Sequence, residues 1–460
     1  MNVFLCDFSS YIMKEIASTL REKGVNILYW TGCKQVFEEA SRDRNRFPDT
    51  IFHSQFDAVQ AKPAPGINDA SFDPPSHDLL SRLLECESIV LTMMNRADFK
   101  NMTVSKKKHL YYRFVQYWDG VLQAKRPDLI IFSDIPHAIY NFVLYSVAKA
   151  RGIPTVMFEV TNLYDRLILV RDYQSASPET GEAYRQLGAE DLTTKELEPN
   201  IKTYYEQLTD PNTEPTPRYK LQRDQKMKEW LTWLPRPQAV FSNLVNGRIV
   251  QTTYYHLRAQ FRREARLINI DANDRTNYKN FLQLKKAQQI KRALREEYAS
   301  LQTMPQEDEK FIYFPLQFQP ENTTSPLAGF FVDQILTVKT LAAALPPDWK
   351  LYVKEYSVQL DDHDPRAHLY RYPGYYREMA KHPSVRLIPP SVSSFDLIKH
   401  SQAVATASGS PGWEGLARGK SVLLFGYPWY MYCDGVYRVR DTQGCRDAIV
   451  QIQKNPPLDP

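Results

Sequence analysis

From Ala403 to Phe425 the chain reads AVATASGSPGWEGLARGKSVLLF: an apolar four-residue run, a turn of small residues, a helix-length spacer, a glycine and a second apolar run. Apolar runs spaced this way predict a strand, a turn, a helix of about two turns and a second strand buried on both faces. A chain that contains such a unit is committed to a parallel α/β sheet there. Pro411 suits the first helical turn, where its missing N–H costs nothing. Gly419 suits the left-handed residue that ends a helix. Ser408, Gly409, Ser410 and Gly412 lie where the helix starts, so backbone N–H groups and hydroxyls can converge on an anion at the positive end of the helix dipole. Glu414 falls in the first turn, within reach of a hydroxyl on whatever carries the anion. A plainer reading stands beside this one: Glu414 complements the dipole and the glycines make a tight turn.

The same rhythm opens the chain. NVFLC reads as a strand, followed by Asp7, a helix with Ile12, Ile16 and Leu20 at helical spacing, a stop at Gly24 and a second strand. No G-x-G-x-x-G follows the first strand, which argues against a dinucleotide site. Residues 34–80 read as loop-rich, and residues 81–123 as helical, with a buried or half-buried aromatic run from Tyr111 to Trp118. PDLIIFSD is a continuous apolar strand ending in Asp134, with Pro136 and His137 just beyond; IPTVMFEVT ends at Glu159, Thr161 and Asn162. Ligands of open parallel sheets bind at that edge. Asp134 is therefore the candidate base, with His137, Glu159 and Asn162 beside it; helix caps or loop carboxylates are the alternative. Residues 165–220 lose the alternation and predict an insertion or linker. Residues 221–303 read as helical and basic, through Arg258, Arg262, Arg263 and Arg266, then Lys285, Lys286, Lys291, Arg292 and Arg295. Such faces suit anionic glycans or lipid headgroups, and also plain solvation.

A second α/β rhythm starts at Lys310. Its first strand feeds a polar cluster of Gln317, Gln319, Glu321, Asn322, Thr323 and Thr324; a later strand delivers Lys354 and Glu355; Ser393 or Ser394 caps the helix before the Ala403 unit. The expected organisation is an α/β domain over residues 1–170, a helical basic region over 171–305 and a second α/β domain over 306–460.

The chain has 460 residues, 43% hydrophobic and 24% charged, with net charge +5. That length fits two or three domains, and the mild basicity falls short of a nucleic-acid-binding profile. Its five cysteines, Cys6, Cys33, Cys86, Cys433 and Cys445, form no C-x-x-C and no metal-ligand spacing. No signal peptide or membrane-length apolar run is read, so a reduced cytoplasmic location is expected. Asp361, Asp362 and Asp364 around His363 form a polar loop that makes a poor metal site, so metal-independent chemistry is expected.

Two α/β halves with polar strand ends and no P-loop suit a cleft enzyme in which one half holds a nucleotide donor. Glycosyl transfer asks for a phosphate cradle, a carboxylate for donor hydroxyls, a cation and an acceptor-side base. Ser408–Gly412, Glu414, Lys354 and Asp134 are the residues available for those tasks.

The pieces YFPLQFQPENTTSP, VKEYSVQ, SSFDLIKHSQAVATASGSPGWEGLARGKSVLLFG and the following PWY resemble the capsule polysaccharide biosynthesis glycosyltransferases, the group that includes bacterial Kdo transferases. The resemblance covers residues 310–432, and more loosely PDLIIFSDIPHAIYNFVLYSVAKARGIPTVMFE. It implies a GT-B architecture, two Rossmann-like domains facing across a cleft, with metal-independent transfer from a nucleotide sugar to a surface glycan or glycolipid acceptor. It implies no cofactor beyond that co-substrate, no nucleic acid, and peripheral contact with the inner membrane or an assembly complex. Carried over by position, it places Gln317 and Glu321 at the donor, Lys354 and Glu355 at its phosphate or sugar, and Ser408, Ser410 and Glu414 at the nucleotide. Members using CMP-Kdo have a His-Pro after the lysine strand, whereas here Lys354-Glu355-Tyr356-Ser357 follows and His382-Pro383 precedes the next strand. The donor is thus CMP-Kdo or a UDP- or GDP-sugar. A nucleotide-sugar epimerase and a non-catalytic glycan-binding protein are the alternatives.

Overall fold

The computed structural model describes residues 1–95, 98, 102–163, 166–175, 177–186, 197–210, 277–319, 324–357, 359–360 and 369–454. Glu321, Asn322, Thr323, the Asp361–Asp364 loop and Arg258–Arg266 lie outside the described residues.

The N-terminal half alternates as its apolar runs predict: β1 (Asn2–Cys6), α1 (Tyr11–Glu22), β2 (Asn26–Gly32), α2 (Lys34–Arg42), β3 (Ile51–Ser54), α3 (Gln55–Ala58), α4 (His77–Arg82), α5 (Leu84–Met94), α6 (Val104–Lys125), β4 (Leu129–Phe132), α7 (Ile139–Ala150), β5 (Thr155–Val160) and β6 (Leu167–Val170). The strands pair in the order β3-β2-β1-β4-β5-β6, parallel except for the β5–β6 hairpin. Val3, Leu5 and Cys6 are wholly buried, as a strand covered by helices on both faces requires. The aromatic run of α6 is core: Tyr111, Phe114, Val115, Tyr117 and Trp118 are all buried.

Three sequence expectations are corrected here. Helix α1 packs Ile16 and Leu20 against the core together with the buried Met13 and Ala17, but leaves Ile12, in its first turn, exposed. Residues 34–80 hold the sheet's third strand, β3, whose sequence IFHS mixes two apolar residues with His53 and Ser54. Residues 165–220 begin with β6, which extends the sheet, and continue into helices Pro178–Gln186 and Pro199–Thr209.

The helix Asn277–Leu301 leads to the C-terminal half. On it Ala287, Lys291, Leu294 and Tyr298 are buried whereas Lys286, Arg292 and Arg295 are exposed, so the basic residues do not share one face. Strands β7 (Lys310–Pro315), β8 (Trp349–Lys354), β9 (Val385–Ile388), β10 (Ala403–Thr406), β11 (Val422–Leu424) and β12 (Val436–Arg438) form a wholly parallel sheet in the order β12-β11-β10-β7-β8-β9. Renumbered within each half, both orders are 3-2-1-4-5-6, the doubly wound Rossmann order. The chain is thus a two-unit α/β protein of GT-B-like architecture. Cys6, Cys86 and Cys445 are buried thiols, and Cys33 and Cys433 are partly exposed.

Candidate functional site

In this topology the strand order reverses between β1 and β4 in one half and between β7 and β10 in the other. Crevices open there, outside the carboxyl ends of the strands. The two edges meet. Trp429, just beyond β11, donates its indole N–H to Asn162 Oδ1 at 3.2 Å and its backbone N–H to Glu159, both just past or at the end of β5. Tyr427 stands edge-on to Tyr173 at 5.9 Å, and Tyr432 OH donates to the Ser175 carbonyl. Trp413 donates to Tyr204 at 3.1 Å, and Leu327, beyond β7, packs into the N-terminal core. The segment Tyr427–Tyr432 therefore works as a latch between the halves.

At the N-terminal switch point, Asp134 begins the β4–α7 loop. Its Oδ1 accepts from the Ile135 amide at 2.7 Å, and its Oδ2 lies 3.8 Å from His137 Nδ1. Burial raises its pKa, which His137 and the Ile135 amide oppose. His137 Nδ1 donates to the Ile135 carbonyl at 2.8 Å, so the neutral ring keeps its proton on that nitrogen. Asp134 and His137 are about one-third exposed, the accessibility a substrate-facing pair needs.

Glu159 and Asn162, expected on the acceptor side, are instead engaged by Trp429. Burial, with Asp134 adding to it, pushes the Glu159 carboxyl up to about 8. The protonated acid is thus favoured in the folded protein. As pH rises from about 4.5 to about 8 the unfolded chain ionises while the folded one holds its proton, and this group's contribution to stability is lost. We expect Glu159→Gln to melt progressively higher relative to wild type as pH is raised across that window, followed by thermal unfolding. A constant gap between the two proteins would remove Glu159 from the titration.

Asp7, which the sequence reading passes over, lies across the crevice. It has φ of 64°, its carboxylate accepts from Tyr140 OH and from Asn141 Nδ2 at 2.5 Å, and burial aided by Asp134 pushes it up to about 7. The available signal was an acidic residue between an apolar strand and a serine-capped helix.

At the C-terminal switch point the helix Ser410–Leu416 starts after Gly409 with Pro411 in its first turn, and Gly419 is left-handed at φ 71°, as expected. The anion cradle differs from expectation. Gly409 N donates to Thr406 Oγ1 at 3.0 Å, and with the Gln317 amide oriented to satisfy its neighbours its oxygen accepts from Ser408 N at 3.1 Å and Gly409 N at 2.5 Å, so these N–H groups serve the protein itself. Tyr430 OH donates to Gly409 O at 2.5 Å. A Cβ on Gly409 would come within 2.7 Å of the Gln317 amide, and one on Gly412 within 2.5 Å of Tyr430 OH. Both glycines are thus required by close packing. Glu414 Oε1 accepts from Ser410 Oγ at 3.1 Å, and both residues keep part of their surface open. Lys354 donates to the Val392 carbonyl at 2.7 Å and is 9% exposed.

Glu355 and Gln319 do not face an open site. Glu355 is 1% exposed: its Oε2 accepts from Arg371 Nε at 2.8 Å and Tyr376 OH at 2.6 Å, and its Oε1 from the Tyr356 amide at 2.8 Å. Gln319 Oε1 accepts from Gln334 Nε2 at 2.9 Å and Arg371 Nη1 at 2.5 Å. Arg371 Nη2 also reaches the Gln317 carbonyl at 3.2 Å. This buried network sets Gln317 and, through it, the Ser408–Gly409 turn. Among the described residues there is no cluster of three His, Cys, Asp or Glu side chains arranged to hold a metal ion, and no helix long and apolar enough to cross a membrane.

No family model matches this sequence, and no curated protein matches it. Among solved structures the chain is similar to KpsC, a beta Kdo 2,7 transferase of Thermosulfurimonas dismutans, at 19% identity over 36% of this chain and 51% of that one, with a TM-score of 0.24. It therefore spans about half the length of that transferase. It is also similar to the UDP-GlcNAc 2-epimerase of Methanocaldococcus jannaschii, at 12% identity over 99% of this chain and 94% of that one, with a TM-score of 0.24. A glycosyltransferase of Rickettsia africae ESF-5 shares 9% identity over 98% of this chain and 88% of that one, again with a TM-score of 0.24. Likenesses this distant assign no activity, and the two-unit α/β reading rests on the strand orders themselves.

Proposed function

We propose that the protein is a glycosyltransferase that moves a sugar from a nucleotide-activated donor to a surface glycan or its lipid-linked acceptor. The observation that supports this most is the meeting of two Rossmann-order crevices. One holds a part-exposed Asp134–His137 pair; the other holds Ser410 and Glu414, with Lys354 on a neighbouring strand end. In this reading the C-terminal half binds the nucleotide sugar, with Glu414 accepting from donor hydroxyls and Lys354 offsetting leaving-group charge. Asp134 takes the proton of the attacking acceptor hydroxyl, with His137 Nδ1 3.8 Å from its carboxylate. CMP-Kdo and UDP- or GDP-sugars are the donor candidates, and capsular polysaccharide the acceptor class. The C-terminal domain over 306–460 is the donor domain and 1–170 the acceptor domain.

An epimerase reading draws on one observation, the neighbouring carboxyls Asp134 and Glu159, both raised by burial, as a pair able to pass a proton to and from a sugar carbon. Incubation with nucleotide sugars alone separates the two, because an epimerase converts them without acceptor.

Calorimetry with CMP, CDP, UDP and GDP tests the donor site. One of them is expected to bind, and Glu414→Ala and Lys354→Ala each to weaken it by about tenfold or more, the worth of a charge-assisted hydrogen bond. Wild-type affinity in both variants would overturn the donor-site assignment, and absence of binding by every nucleotide would overturn it and favour the non-catalytic reading.

A further inference from the structure

We propose that Asp7 is a positioning residue for the β4–α7 loop: it holds Asp134 and His137 in place from the opposite side of the switch-point crevice. The inference rests on the transferase reading for its kinetic consequence, but its structural content stands apart. Asp7 grips the loop at both ends. At the start, Ser133 Oγ donates to the Asp7 carbonyl at 2.9 Å and the Ser133 amide donates to the Cys6 carbonyl at 3.0 Å. At the far end, the Asp7 carboxylate accepts from Asn141 Nδ2 at 2.5 Å and from Tyr140 OH, while Asn141 Oδ1 accepts from the Ala138 amide at 2.9 Å. Residues 134–137 are suspended between these two anchors. The backbone of Asp7 is fixed in turn by β2, through its amide donating to Thr31 Oγ1 at 2.9 Å.

The residue type follows from this arrangement. At φ 64° a short polar side chain is tolerated better than most non-glycine ones, and the two oxygens of a carboxyl offer one acceptor to each α7 donor. Such a backbone persists where its surroundings over-determine it. The groups facing Asp7 are Asp134 from the β4–α7 loop, Tyr140 and Asn141 from α7, Thr31 from β2 and Cys6 from its own strand; Asp134 in turn faces His137 and Glu159. Asp134 adds to burial in raising the Asp7 carboxyl.

Asp7→Asn is the informative change, because asparagine also tolerates a left-handed backbone and keeps the shape while removing the charge. Two measurements are made on the full chain. The first is the carboxyl carbon-13 titration of Asp134, identified by its loss in Asp134→Asn. The second is the pH profile of sugar transfer. In Asp7→Asn kcat is expected to fall by about tenfold with the donor KM unchanged, as a displaced general base predicts, and the Asp134 midpoint to move as its burial changes. Tyr140→Phe, which removes one anchor, should lower kcat by about threefold. It serves as the second variant should Asp7→Asn fail to fold. If the midpoint shifts while wild type transfers no sugar, the transferase reading fails and the positioning role stands. An unchanged midpoint together with an unchanged kcat, or an unchanged kcat in a folded Tyr140→Phe where Asp7→Asn does not fold, overturns the proposal.

Discussion

Asp134→Asn is expected to lower the rate of sugar transfer by about 10²–10⁴-fold, the range spanned by loss of a positioned general base. Nucleotide affinity should be unaffected, because the donor residues belong to the other half. The size of the effect follows from the asymmetry of the crevice. The Asp134 carboxyl is part-exposed, accepts from the Ile135 amide and faces His137, whereas Glu159 is engaged by Trp429 and Asp7 by α7. The pH dependence gives a second check. Burial raises the Asp134 pKa, and the ionised form is the base, so the wild-type rate should climb with pH through a midpoint above that of a free aspartate. Asparagine removes this limb. A variant that retains the wild-type rate and the wild-type acid limb would exclude Asp134 as the base.

The second large effect concerns stability. Arg371→Ala is expected to cost about 3–5 kcal/mol, the penalty for stranding one member of a buried ion pair. Arg371 and Glu355 side chains are 0% and 1% exposed, so water cannot replace the lost partner. The Gln317 carbonyl and Gln319 Oε1 lose donors in the same step. Denaturant unfolding followed by tryptophan fluorescence measures the loss. Replacing both partners, Arg371→Met with Glu355→Leu, should recover most of it, because two apolar side chains leave no orphaned charge. A cost below about 1 kcal/mol for the alanine change would mean that the pair contributes no more than a surface salt bridge.

The same network shows what a sequence does and does not disclose. Buried parallel strands announce themselves as apolar runs, and their ends can be read: Asp134 and Glu159 follow β4 and close β5 where the alternation places them, and Pro411 and Gly419 bracket a helix. Two strands do not announce themselves: β3 because IFHS sets two apolar residues beside His53 and Ser54, and β6 because it is an antiparallel edge strand outside the parallel alternation. Side-chain partners are harder still. Lys354-Glu355 looks like a charged strand end on offer to a ligand until Arg371 and Tyr376 return to it from the far side of a loop. Glu159 and Asn162 look like acceptor-side residues until Trp429 arrives from more than half the chain away. Gln317 was read as a ligand contact, but the groups it bonds are the very N–H groups assigned to the anion. In each case the residue type was informative and its partner was not, because pairing is set by tertiary approach.

The distribution of thiols has a practical consequence. Cys33 follows β2 on the N-terminal crevice edge, Cys433 follows the aromatic latch on the C-terminal one, and the other three cysteines are buried in strand and helix cores. Burial and the adjacent Asp434 push the Cys433 thiol up to about 11, so it stays protonated and slow to alkylate at neutral pH. A dye coupled to the partly exposed Cys33 would sit on the N-terminal edge and report on what approaches it without a single engineered residue.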